Sequence, residues 1–442
     1  MKLEITSNRR EILLATAAGL AVSGCASGAS QPSLRGAPDP FAEVRLAETL
    51  QRLDAVESLQ TGTAGELAFA AYVERRMANA GLDVTRQAVD APGFSIRKAS
   101  ATCLGQETQV VPQSIVVPTG PGGITAPLRL WRDQSDTALM RDAIALILLP
   151  RARHSRLGSR AIHAPLDAAI SGGARAVILI TDGPTGETIY LNADYERPPA
   201  SVPVALIGPN YSDTLLKGAR EGASCNLVID GESLRRVSAN IFGRVTGRGP
   251  TVVVSTPRTG WLKCVGERGP GLAIFLALAE WAPKALPKHD LLFLTTAAHE
   301  YDNAGGLQFI NKLAPKPAET ALWVHLGAGF AVRNFQEVGP HELKPLSGAF
   351  PERSLVGTDN LLEALKTEFA GLPGLESVRP ASAGAAGELQ EIFAHGYNPA
   401  FGFFGSHYYH HTIADRLDKA DPALAREVGL RIRNATVQYL SR

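Results

Sequence analysis

Six residues of this chain have the chemistry to hold a metal ion or move a proton together: Glu267, His299, Glu300, His325, His410 and His411. His299 and Glu300 follow the apolar run Leu291–Thr296, which has strand length and strand-forming residues. They should therefore sit just beyond the carboxyl end of a strand, where open α/β sheets bind ligands. Glu267 follows a second strand-like run at residues 251–255, His325 ends a third at 320–325, and His410 and His411 follow a fourth at 399–404. Carboxylates and imidazoles converging on one sheet edge suit a borderline divalent cation such as Zn²⁺, which takes nitrogen and oxygen ligands in catalytic sites. A single His or Glu in a loop is ordinarily solvated or bonded locally. Their common placement is what argues for a site.

The elements that must position these residues alternate between strand and helix. Helical periodicity covers residues 41–59 and 66–80, the second closed by Gly81, a natural left-handed terminator. After the strand at 251–255, a loop to Gly269 leads into a helix opened by Pro270. That helix, 271–281, is apolar almost all round and should be buried. Asp302 or Asn303 can cap the helix after His299 and Glu300. Further helices are predicted over 360–369, over 388–395 and from Pro422 onward. This alternation predicts an α/β sheet covered on both faces. Residues 101–236 differ: short apolar strands and turns, with no titratable cluster at a strand end. They read as an inserted, mostly β, non-catalytic domain. His154 and His163 lie among Arg151, Arg153, Arg156 and Arg160 and read as a solvated loop.

The 442 residues suit two or three domains, and a formal charge of +1 without basic runs argues against nucleic acid. Residues 1–25 read as an export signal: Arg9 and Arg10 in a twin-arginine-like setting, a short apolar run, then Val22-Ser23-Gly24-Cys25. That last stretch resembles a bacterial lipobox, which makes Cys25 the expected lipidation site. Residues 26–40 read as a tether. The expected location is the periplasm, anchored to the outer membrane through lipid. Of Cys103, Cys225 and Cys264, Cys103 and Cys225 could form one disulfide, or all three could be buried thiols.

From residue 41 onward the chain resembles the di-zinc aminopeptidases of the MH clan, which also holds glutaminyl cyclase and the inactive transferrin receptor. The resemblance is carried by Ala297-Ala298-His299-Glu300, which matches the double-glutamate motif, and by His411-Thr412-Ile413-Ala414-Asp415, which matches the terminal His-Thr-x-x-Asp pattern. The spacing from Glu267 to the apolar helix matches the bridging aspartate. Residues 101–236 resemble the family's protease-associated insert, with residues 41–100 and 237–442 forming the peptidase-like domain. The departures are as specific. Pro257 and Thr259 stand where a His-x-Asp ligand pair is expected, Glu267 replaces the bridging aspartate, and Arg268 replaces its asparagine neighbour. His299 replaces the general base, and His325 replaces an aspartate.

The resemblance implies one remaining zinc site held by Glu267, Glu300 and His411, with His325 as a fourth ligand or an oxyanion donor. His299, whose intrinsic pKa suits proton transfer, becomes the base. His411 is preferred to His410 as the ligand. The expected activity is hydrolysis of peptides or small amino-acid conjugates. The alternative is an inactive pseudo-peptidase acting as a lipid-anchored binding module. A histidine cluster of His407, His410 and His411 for metal handling is a third reading.

Overall fold

The computed structural model describes residues 39–247 and 249–441; the stretch read as an export signal, Cys25, and all but the last two residues of the stretch read as a tether lie outside the described residues. Four neighbouring strands run parallel and form the heart of a mixed sheet, in the order Ala400–Gly405, Thr320–Leu326, Thr251–Pro257 and Leu291–Thr296. The Thr251–Pro257 and Leu291–Thr296 runs are buried nearly throughout, as expected of parallel strands covered on both faces. Pairing sets Thr296 beside Pro257, and His325 beside both Ser255 and Gly402. The carboxyl ends of all four strands therefore open on one edge.

The apolar helix fills one face of this sheet. It spans Val265–Ala285 and is buried along most of its length. It packs with the helices Glu43–Asp54, Ala64–Asn79 and Pro422–Leu440 around Phe41, Phe69, Phe275 and Phe293. The helix begins before Pro270, so the last five residues of the loop expected up to Gly269, 265–269, are helical instead. Pro270 only removes one hydrogen bond close to the helix start, where the loss is tolerated. Glu267 and Arg268 consequently sit in the first turn rather than in a loop.

Two long antiparallel strands, Asp83–Cys103 and Ser224–Val245, run out of this sheet and carry the block between them. Within the block, Ile124–Trp131, Ile144–Leu148, Ala176–Ile180 and Val204–Ile207 form a parallel array. The helix Arg160–Ser171 lies between the second and third of these strands in sequence, and Asp213–Glu221 follows the fourth. The block thus adds two helices to a larger share of strand, and it has its own apolar clusters. Its strands continue the main sheet, giving 14 strands among the described residues. Cys103 and Cys225 are directly paired in register, and they and Cys264 are free, buried thiols.

Candidate metal and acid–base site

Glu267 is placed by the amide groups at the start of its helix. The Asp415 carboxylate accepts from the backbone N–H of Gly266 at 2.7 Å and of Glu267 at 3.0 Å. These are two of the donors that a helix start leaves unpaired. The Glu267 side chain is buried, and neither carboxylate oxygen has a hydrogen-bond partner among the described residues. His411 Nε2 lies 3.5 Å from Oε1, and His410 Nδ1 lies 3.7 Å from Oε2. Ligand atoms of Glu267, His410 and His411 all fall within 4.8 Å of one another.

The imidazoles are set up to present lone pairs. His411 Nδ1 donates to the carbonyl of Tyr190 at 2.8 Å, which leaves Nε2 bare in the neutral ring. His410 Nδ1 is buried and unpartnered. Burial, and then its neighbour His411, holds His410 well below the ordinary histidine range, so it is neutral. Burial alone would raise the Glu267 carboxyl, but Arg268 and the facing imidazoles outweigh it and hold the group well below the usual carboxylate range. Because His410 is neutral, Arg268 is the cation chiefly responsible.

Glu300 is committed elsewhere. Its Oε2 accepts from Thr259 Oγ1 at 2.7 Å and its Oε1 from Arg268 Nη2 at 3.2 Å. Arg268 Nε in turn donates to the Thr259 carbonyl at 2.6 Å. Thr259, in the place of an expected ligand, thus ties Glu300 to Arg268. The neighbouring Arg258 is fully buried and paired with Glu66 at 2.8 Å.

His299, next to Glu300, turns the other way. It lines a cavity of about 290 Å³ together with Glu267, His325, Glu388, His410 and His411. Its Nδ1 lies 3.1 Å from Glu388 Oε1. His325 is buried, and burial pushes its pKa down to about 4 against the opposing pull of Glu388. Trp323 Nε1 donates to Ser255 Oγ at 2.8 Å, and Ser255 Oγ lies 2.9 Å from His325 Nδ1. While it accepts from the indole, the serine hydroxyl can donate its own proton to Nδ1, an arrangement that puts the proton of the neutral ring on Nε2. In that tautomer His325 offers the cavity a donor, not a metal-binding lone pair.

The structure therefore brings Glu267 and His411 together, adds His410, and leaves Glu300 and His325 outside the ligand cluster. His407 lies 3.4 Å from Asp415 instead. Sequence reasoning missed Glu388, whose only signal was its place at a helix start. It also missed the wall given by the block, where Ser155, Arg156 and Asn192 line the cavity. The stretch read as a solvated loop in fact holds a buried His154, while Arg156 pairs with Asp302 at 2.6 Å. Asp302 is thereby engaged, and Asn303 makes no side-chain cap on the Ala304–Lys312 helix.

No protein-family model matches the chain, and no curated protein does. Solved structures do match. A zinc aminopeptidase from Bacillus subtilis aligns with a TM-score of 0.69 at 17% identity, covering 91% of this chain and 96% of that one. A Peptidase M28 precursor from Shewanella amazonensis SB2B gives 0.68 at 19% identity, covering 91% and 96%. An aminopeptidase from Aneurinibacillus sp. strain AM-1 gives 0.63 at 17% identity, covering 90% and 94%. At such identities the likeness is one of fold, and the fold is that of the zinc aminopeptidases.

Proposed function

We propose that this chain is a hydrolase of peptide or amino-acid amide bonds that uses a single zinc ion held by Glu267, His410 and His411. The observation that carries this reading is the group of buried ligand atoms, close enough to share one ion, with Glu267 and His410 Nδ1 otherwise unpartnered. Buried polar atoms without partners are rare and call for an occupant. Two imidazoles and a carboxylate match the donor set of catalytic zinc, which keeps a further position open. Zinc held there would supply a Lewis acid and a nucleophile effective near neutral pH. His299 serves as the proton acceptor, and the His325 Nε2–H donates to the oxygen that gains charge.

The reading of residues 101–236 as a protease-associated insert, and of Cys25 as a lipid anchor holding the protein in the periplasm, belongs to the same proposal. A peptide or small amino-acid conjugate is the partner it implies.

A second reading is favoured by one observation. Arg268 already sets one buried positive charge against Glu267 and Glu300, as a pseudo-peptidase that had lost its metals would require. Elemental analysis of protein dialysed without chelator separates the two. About one zinc per chain, lost on His411→Ala, supports the hydrolase. Metal-free protein with no thermal shift on adding zinc leaves the binding module.

A further inference from the structure

Glu388 stands apart from the ligand cluster, yet it is almost completely buried beside the cavity. A single oxygen, Oε1, accepts from Thr296 Oγ1 at 2.6 Å and lies 3.1 Å from His299 Nδ1. Room for this contact depends on two glycines. A Cβ at Gly306 would lie 2.9 Å from the Glu388 carboxyl carbon. Gly387 has φ +59°, and a Cβ there would press on His299 Cε1 at 3.3 Å. The backbone N–H of His299 is also held, by Thr259 Oγ1 at 3.2 Å. The ring is thus fixed on its Nδ1 side, while Nε2 has no hydrogen-bond partner among the described residues.

We propose that Glu388 is a positioning residue that takes the Nδ1 proton of His299 as a hydrogen bond, so that the bare Nε2 faces the cavity and the pair acts as the proton acceptor. This rests on the hydrolase reading above. A carboxylate that accepts from Nδ1 fixes the tautomer and stabilises the imidazolium that forms. In the step itself, the oxygen of a water adds to the substrate's amide carbon while its proton passes to Nε2. The carbon–nitrogen bond then breaks, and Nε2 returns that proton to the leaving amine. Water and amide become acid and amine, and His299 ends neutral. Glu388 never touches the substrate.

The test compares full mature protein with its Glu388→Leu and Glu388→Asp variants, each loaded with zinc, on a panel of aminoacyl 4-nitroanilides. The expected result is kcat lower by about 100-fold in Glu388→Leu, with KM and zinc content unchanged and partial recovery in Glu388→Asp. Undiminished kcat in a folded, zinc-loaded Glu388→Leu overturns the proposal. If Glu388→Leu does not fold, Glu388→Gln keeps the shape without the charge and should show the same selective loss of kcat.

Nitrogen-15 NMR of the His299 ring, assigned by difference from His299→Asn, reads the tautomer without any substrate. Wild type should carry its proton on Nδ1, and Glu388→Leu should lose that preference. The same tautomer in both overturns the positioning role. A zinc-loaded wild type that hydrolyses nothing instead defeats the hydrolase reading and the acid–base step, and the NMR result still decides the positioning.

Discussion

Nη2 of Arg268 lies 2.9 Å from Oε1 of Glu267 and 3.2 Å from Oε1 of Glu300, so one guanidinium bridges two buried carboxylates. The bond to Glu300 is a hydrogen bond, whereas the approach to Glu267 is a charge contact without hydrogen-bond alignment. Glu267 therefore keeps lone pairs free on the side of His410 and His411. The arrangement suits one ion, with Arg268 as a fixed positive charge between the acids.

Replacing that charge should expose its role. In Arg268→Gln the two carboxylates face each other without a counter-charge, and breaking a buried ion pair typically costs about 3–5 kcal/mol. Metal-free Arg268→Gln should unfold at lower temperature than wild type, and added zinc should raise its melting temperature by more. Thermal melts with chelator and with zinc check this. Equal shifts in both proteins would mean that Arg268 and the ion do not act on the same charges.

The ligand set makes a sharper distinction. Glu267→Gln, His410→Ala and His411→Ala should each weaken zinc binding by at least about 10-fold, since outer hydrogen-bond partners alone are often worth 10- to 100-fold. Glu300→Gln should keep its zinc and lose stability, because Thr259 and Arg268 lose their anionic partner. Calorimetric zinc titration of the four variants separates the roles, and loss of zinc from Glu300→Gln would put that carboxylate back in the metal site.

His325 gives the fold a pH dependence. Its pKa falls from an ordinary 6.5 to about 4 in the fold. Below the higher value the unfolded chain takes up a proton that the folded chain refuses. The contribution is complete above about pH 6.5 and is lost as the pH falls towards about 4, on the order of 3 kcal/mol in all. His410, also held neutral by burial, acts in the same direction. Urea unfolding at several pH values should show stability falling over this window, with a shallower fall in His325→Gln. An unchanged slope in that variant would rule out His325 as the source.

The pair of Arg258 and Glu66 is a structural counterpart to the site. Both side chains are fully buried, and Glu66 also accepts from the Gly62 N–H and the Ser238 hydroxyl. Arg258 reaches Thr295 Oγ1 and the Ala239 carbonyl as well. Glu66→Ala strands the guanidinium and should destabilise by about 3–5 kcal/mol, measured by denaturant unfolding. Zinc content of the folded protein should not change.

The strands beneath the site were legible because apolar runs of strand length ended in residues with metal or acid–base chemistry. Leu291–Thr296 followed by His299 is the clearest case. The start of the buried helix was not. Pro270 looks like a beginning, but the Asp415 carboxylate, far away in sequence, satisfies earlier amides and lets the helix start at Val265. Motif spacing favoured Glu300 as a ligand, yet its fate depends on Thr259 and Arg268, whose side chains meet it only after folding. The His-Thr-x-x-Asp match favoured His411 over His410, yet both rings approach Glu267. They do so through the Nδ1 atom of one ring and the Nε2 atom of the other. Glu388 carried no motif at all.

His411 Nδ1 and the carbonyl of Tyr190 are 221 positions apart in the chain. Neither ring nor carbonyl can find its place until the block and the last strand of the parallel four have both docked. A chain stalled partway through folding, or cut before residue 410, retains Glu267 without its imidazole partners. Ion uptake would then be a late event in the life of each molecule, after the architecture is finished. The fraction of a preparation able to take up zinc tightly would count its completed copies.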